Sequence, residues 1–218
     1  MARVGVVLSG CGVYDGAEIH ESALTLFFLD RAGTQIICMA PDVDQMDVIN
    51  HMKGAAGSEK RNVLIESSRI ARGDIRDIKD VKAAELDALV FPGGFGAAKN
   101  LCTFAVKGAD CTVNADVERL IKEMHSAKKP IGFVCIAPVI AAKVLGSFKP
   151  ELTIGSDKDT AQAIEKMGGK HVVASVDKTV VDRKNKIVST PAYMLGPTIS
   201  QVALGIEKLI QEVLGMAA

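Results

Sequence analysis

The sequence predicts an α/β fold with a doubly wound, mostly parallel sheet, and three observations carry that prediction. Short apolar runs of strand character alternate with segments of helical periodicity along the chain. The first strand, helix and strand fit within about forty residues, the span of one βαβ unit. Unusual loops follow several strands, which is where open parallel sheets place their ligand sites.

Residues 3–9 form a continuous apolar strand that ends in the turn Gly10-Cys11-Gly12. Residues 17–32 carry helical periodicity through Ile19, Ala23, Leu26 and Phe27, and Ala32-Gly33 supplies the stop. Gln35 to Ala40 is the next strand, closed by Pro41, and the crossover between the two parallel strands is right-handed. Residues 42–82 are more polar and read as an insertion with one helix over 62–72. Residues 86–91 resume the sheet and run into Pro92-Gly93-Gly94-Phe95-Gly96. A helix over 113–128 precedes a strand at 130–135, and a short helix follows. A strand at 152–154 and a helix at 157–168 come next. Residues 179–182 and 186–189 flank Arg183-Lys184-Asn185 as a β-hairpin, and an amphipathic helix over 198–214 closes the order. No repeat, low-complexity tract or flexible linker interrupts it, so 1–218 reads as a single domain.

Composition narrows the function classes. The chain is 48% apolar and 24% charged, ordinary for a globular core. Its 26 basic and 26 acidic residues cancel, so nothing draws it to nucleic acid or an anionic membrane. The absence of Trp and the presence of only two Tyr argue against a stacking platform for bases. The apolar run at 4–8 is too short for a signal peptide or a membrane span. Cysteines 11, 38, 102, 111 and 135 lack the spacing of a disulfide framework or a zinc knuckle. Free thiols in a reducing compartment, and hence a cytoplasmic location, are the expectation.

The chemistry concentrates at Cys135. In Pro130-Ile131-Gly132-Phe133-Val134-Cys135-Ile136-Ala137-Pro138 an apolar run reaches the cysteine and a helix-compatible segment follows at once. Such a turn is expected to lift the sulfur above the sheet edge, facing solvent and the N–H groups of a helix N-terminus, which favour thiolate. A nucleophile needs that environment; a buried structural cysteine is the alternative. Gly93 and Gly94 let the backbone approach a ligand, and one of their N–H groups with that of Ile136 could hold an oxyanion. Glu18 and Glu21 lie three apart on one face of the first helix and supply a carboxylate for proton transfer. His20, His51, His125 and His171 are scattered without metal-ligand spacing, so no metal is expected. Gly10-Cys11-Gly12, with Asp42 past the second strand, imitates a dinucleotide fingerprint. Gly16 falls one residue late, however, and Asp15, Glu18 and Glu21 would crowd charge where a pyrophosphate must sit.

These residues also carry a resemblance. Val4-Gly5-Val6-Val7-Leu8-Ser9-Gly10-Cys11-Gly12-Val13-Tyr14-Asp15-Gly16 resembles the opening of the ElbB proteins, the isoprenoid-biosynthesis glyoxalases. The segment from Pro92 through Leu101, the Cys135 stretch and Thr190-Pro191-Ala192-Tyr193-Met194 continue the likeness over essentially the whole chain. The family lies in the PfpI-type, class-I-glutamine-amidotransferase-like superfamily. That membership implies a three-layer flavodoxin-like sandwich with its cysteine on a nucleophile elbow. It assigns Cys135 the nucleophile position and Glu21, twelve residues before Gly33, that of the first-helix glutamate, with Glu18 second. Gly93, Gly94 and Asn100 fall in the superfamily's Pro-Gly-Gly segment. Ile136 stands where many relatives have a histidine, and Ala137 where the amidotransferase elbow has a glycine; both point away from peptidase and glutaminase chemistry.

The resemblance implies a glyoxalase without cofactor, acting on a small α-oxoaldehyde, and a homodimer. A redox-sensing or regulatory protein is the rival reading, with Cys135 oxidised and Cys11 as a resolving thiol.

Overall fold

Strands that are apolar along nearly their whole length need cover on both faces, and here helices supply it on both sides of one sheet. The computed structural model describes residues 1–196 and 198–217. In chain order its elements begin with β1 (Arg3–Val7), α1 (Ile19–Arg31), β2 (Gln35–Ala40), β3 (Ile49–Asn50), β4 (Ala55–Ala56), α2 (Val63–Ile70) and β5 (Arg76–Asp77). The middle of the chain holds β6 (Ala88–Phe91), α3 (Phe95–Lys99), α4 (Phe104–Lys107), α5 (Ala115–Ser126), β7 (Ile131–Val134) and α6 (Pro138–Leu145). Then come β8 (Glu151–Leu152), α7 (Lys158–Lys166), β9 (Lys170–His171), β10 (Val180–Asp182), β11 (Ile187–Thr190) and α8 (Ile199–Ala217).

Seven strands form one sheet in the order β10-β11-β7-β6-β1-β2-β5, parallel throughout except for β10 against β11. Alternation sorts the side chains. Val4, Val6, Ala88 and Val90 enter the layer under α1 and α8, whereas Val7, Leu89 and Phe91 enter the layer under α5 and α6. Phe91 and Phe133 stack across β6 and β7 with ring centroids 5.0 Å apart. The expected fold, an amidotransferase-like α/β sandwich with a mostly parallel sheet, is the one observed. The chain leaves β1 toward β2 on one side and returns to β6 on the other, so β1 and β6 flank the topological switch point.

Differences fall in the polar segments. Within 42–82, Arg76-Asp77 adds an edge strand beside β2, too short and too charged to read as a strand in sequence. Leu152 belongs to a separate two-strand sheet with β9, not to the central one. The rest of the insertion is strapped across the loop after β1. Ile49 N–H donates to the Asp15 carboxylate at 2.7 Å, Met46 N–H to Asn100 Oδ1 at 2.9 Å, and Lys99 Nζ to Asp47 at 2.9 Å.

Candidate active site

The loops after β1, β6, β7 and β11 meet at one rim, and Cys135 sits at their centre. Val134 ends β7, and Pro138 opens α6 at a position where its missing N–H is no loss. Between them Cys135 takes φ +61°, in the left-handed region that a side chain reaches at a cost of about 1–2 kcal/mol. Its own N–H is anchored to Thr190 O of β11 at 2.9 Å. Ala192, in the neighbouring loop, is also left-handed at φ +45°. Backbone strain at two positions of one small site is what a functional constellation shows.

Glu21 faces the cysteine across Gly93. The Gly93 N–H donates to Glu21 Oε2 at 2.9 Å, and the Tyr193 N–H to Oε1 at 3.2 Å. A Cβ on Gly93 would lie 2.4 Å from Cys135 Cβ and 2.6 Å from Glu21 Oε2, so only glycine lets acid and thiol come this close. Gly94, at φ +92°, and Ile136 each direct an N–H at the Cys135 sulfur. Glu18 plays a different part. It is the N-cap of α1, its carboxylate accepting the Glu21 N–H at 2.7 Å, while its own N–H donates to Gly93 O at 2.9 Å.

The sulfur does not face solvent as the sequence suggests: Cys135 is 7% exposed and Glu21 fully buried. Burial first, and then the Glu18 charge beside it, push Glu21 up to about 8. Burial, followed by the Glu21 charge, pushes the Cys135 thiol well up, against the downward pull of the Gly94 and Ile136 N–H groups. The expected thiolate is therefore a thiol beside an acid. The elbow supplies N–H donors, but the Gly93 contact that brings Glu21 close also removes the water that would solvate an anion.

Asn100 is not part of this cluster. Its Nδ2 donates to Ser9 O at 2.8 Å and to Asp15 O at 2.9 Å, and its Oδ1 holds Met46, so it ties three loops together. The loop after β1 also spends its own N–H groups: Gly12 donates to Ala17 O at 2.9 Å and Gly16 to Gly12 O at 2.7 Å. With buried Asp15 beside them, these glycines form no phosphate cradle. Cys11 lines a cleft of about 620 Å³ between α1, β2 and α2, together with Phe27, Cys38 and Arg69. The sequence points to the loop ending at Tyr193 as part of the rim but gives that residue no role; its backbone N–H holds Glu21 and its hydroxyl lies 2.9 Å from His20 Nδ1. A backbone donor on a loop 172 residues away leaves no side-chain signal.

Comparison with known proteins fits this geometry. The chain is 52% identical to the mitochondrial ES1 protein homolog of Rattus norvegicus over 223 residues, covering 98% of this chain and 83% of that protein. The chain belongs to the ES1 family. An isoprenoid biosynthesis protein with an amidotransferase-like domain from Ehrlichia chaffeensis is 37% identical, with a TM-score of 0.93 and both chains fully covered. A DJ-1 superfamily protein from Agrobacterium tumefaciens, 18% identical with a TM-score of 0.59 over 99% of this chain and 91% of its own, shares the fold. No family model matches the chain. The ES1 relatives of rat and zebrafish and the human glutamine amidotransferase-like class 1 domain-containing protein 3 are mitochondrial proteins, which overturns the expectation of a cytoplasmic location. Free thiols indicate a reducing compartment and do not say which one.

Proposed function

We propose that this ES1-family chain is a cofactor-independent glyoxalase of the ElbB type, converting α-oxoaldehydes such as methylglyoxal or glyoxal to 2-hydroxy acids. The observation that carries the reading is the pairing of Cys135, on a strained elbow, with Glu21, held near 8 across Gly93. A proton carrier works best when its pKa lies near the working pH, so this carboxyl is suited to several transfers in one turnover.

In the fraction of molecules whose Glu21 is ionised, Cys135 sulfur adds to the aldehyde carbon as its proton passes to that carboxylate, and the alkoxide forms against the Gly94 and Ile136 N–H groups. Glu21 returns the proton to that oxygen, giving a hemithioacetal. The Glu21 carboxylate next removes the proton from the former aldehyde carbon, leaving an enediolate, and that carbon's hydroxyl proton shifts to the neighbouring oxygen. Delivery of the proton to the adjacent carbon gives a thioester of the 2-hydroxy acid. Water cleaves the thioester, releasing the acid and restoring the thiol. The sum is one aldehyde plus one water, without external oxidant or reductant. Enclosure of the sulfur favours two- and three-carbon substrates.

The test is lactate formation from methylglyoxal without glutathione, by wild type, Cys135→Ala and Glu21→Gln. Activity in wild type that vanishes in Cys135→Ala supports the reading; full activity in Cys135→Ala sinks it. No activity in wild type also removes it, and leaves oxidation of Cys135 as the chemistry to pursue.

A further inference from the structure

Two thiols outside the site meet at the base of a surface excursion. Cys102 and Cys111 bracket a ten-residue segment containing α4 and a 3-10 turn at Gly108–Asp110. The base of the segment is pinned as a short antiparallel ladder. Cys102 bridges Val113, Thr103 N–H donates to Thr112 O at 2.9 Å, and Asn114 N–H donates to Leu101 O at 2.8 Å. Thr112 N–H adds a bond to Thr103 Oγ1 at 2.9 Å. With Cys102 opposite Val113, Cys111 stands diagonally across the ladder from Cys102, and each thiol acts on the other's proton. Both thiols are free and buried, with Cys102 Sγ 3.3 Å from Ala97 O and Cys111 Sγ 3.9 Å from Met167 Sδ. Cys111 lines a cavity of about 480 Å³ with Thr112, Glu118 and Lys143, room enough for a small oxidant.

We propose that Cys102 and Cys111 are a reversible dithiol–disulfide site, separate from Cys135, which a hydroperoxide oxidises to close residues 102–111 into a covalent loop. Cys111 is the attacking sulfur. The neighbouring Cys102 thiol lowers it, and Lys143 of α6 adds to that pull against burial and Asp110. Asp110 in turn pairs with Lys166 of α7, and Glu118 of α5 is the other charge lining the cavity. The neighbouring Cys111, then burial, raises Cys102, whose proton stays hydrogen-bonded to Ala97 O until the second step.

The Cys111 thiolate attacks the peroxide O–O bond. A sulfur–oxygen bond forms, the O–O bond breaks, and water or an alcohol leaves with a proton from solvent. Cys102 sulfur then attacks the Cys111 sulfenic sulfur. The S–S bond forms, the S–O bond breaks, and the departing hydroxide takes the Cys102 proton as water. Two thiols lose two electrons and the hydroperoxide gains them; a dithiol reductant reverses the change. Oxidation also removes the Cys102 thiol proton from Ala97 O, in the helix that Gly94 opens, so the event registers at the edge of the active-site scaffold.

Peptide mapping tests this on the full chain without any variant. The protein is treated with hydrogen peroxide, free thiols are blocked with iodoacetamide, and a tryptic digest is read by mass spectrometry without reduction. Cleavage after Lys99, Lys107 and Arg119 puts Cys102 in peptide 100–107 and Cys111 in peptide 108–119. The expected product is those two peptides joined, two hydrogens lighter than their sum, abolished by dithiothreitol and still formed in Cys135→Ala. Recovery of both peptides blocked while Cys135 or Cys11 carries the oxidation would overturn the proposal. So would a Cys111 that accumulates as sulfinic acid with Cys102 free.

Discussion

Cys135 and Cys111 are both buried cysteines, and their surroundings push them in opposite directions. Cys135 faces the Glu21 carboxyl, and burial with that negative neighbour holds its proton on. Cys111 faces the Cys102 thiol and the Lys143 ammonium, and both make its proton easier to lose. Burial alone therefore does not decide the reactivity of a thiol; the groups placed beside it do. A thiol kept protonated beside an acid is protected from idle oxidation and becomes nucleophilic only once that acid is ionised and its carboxylate takes the thiol proton. A thiol held as its anion is open to any oxidant that reaches it.

The largest expected effect separates the two regions outright. Cys135→Ala should reduce lactate formation to background, and Glu21→Gln should lower kcat by about 10²–10⁴-fold, the usual contribution of a positioned acid–base group. Cys111→Ser should stay within about twofold of wild type, as expected of a residue outside the chemistry. Equal losses in all three would erase the distinction. Gly93→Ala comes next, because its Cβ would stand 2.4 Å from Cys135 Cβ and must push thiol and acid apart. A loss of about 1–3 kcal/mol in urea unfolding, the cost of overpacking, should accompany near-complete loss of activity. Gly33→Ala, at φ +69° with nothing within 4 Å of the added Cβ, should cost about 1–2 kcal/mol and leave activity intact. Full activity in Gly93→Ala would mean that the contact across the glycine is not used.

How much of this was legible in the sequence depends on where the information lies. The apolar strands, the Gly33 stop and the Cys135 elbow are written in local residue choice, and the structure has them within a few residues of where the sequence puts them. Glu21 and Glu18 were both visible on the first helix, but only the fold shows that Glu21 faces the sulfur while Glu18 caps the helix. The charge state of Cys135 was misread, since the elbow's N–H donors are local whereas the buried acid comes from a helix more than a hundred residues earlier. Asn100 stands in a motif that points to the site, yet its side chain ties loops together, because amide placement depends on partners the motif does not contain. The Cys102–Cys111 pair has no recognisable spacing at all; the ladder at Thr103 and Thr112 makes it.

The acid has a signature in folding as well as in catalysis. An ordinary Glu carboxyl loses its proton near 4.5, whereas Glu21 in the folded protein keeps it to about 8. Between those values the native state binds a proton that the unfolded chain releases, so this group's contribution to stability falls as pH rises across the window. Urea unfolding of wild type should therefore lose stability, relative to Glu21→Gln, between pH 5 and pH 8 by a few kcal/mol. Parallel curves for the two proteins would show that Glu21 titrates as an ordinary carboxyl, and the contrast between the two cysteine sites would lose its cause.

The smallest effect isolates the charge at the second site. Iodoacetamide labelling of Cys111 should set in at lower pH than that of an ordinary thiol, while that of Cys135 lags well behind it. Lys143→Met keeps most of the stem that packs on α6 and removes the ammonium, so the Cys111 midpoint should move upward. The displacement should stay below about one pH unit, because the neighbouring Cys102 ranks above Lys143 among the causes that lower it. Cys102→Ala removes that larger cause and should raise the midpoint further than Lys143→Met does. If the lysine variant moved it more, the ammonium and not the thiol pair would set the reactivity of Cys111, and the two cysteines would differ by one surface charge. Labelling of Cys135 should be unmoved in both variants, since neither residue is among the groups that shift it.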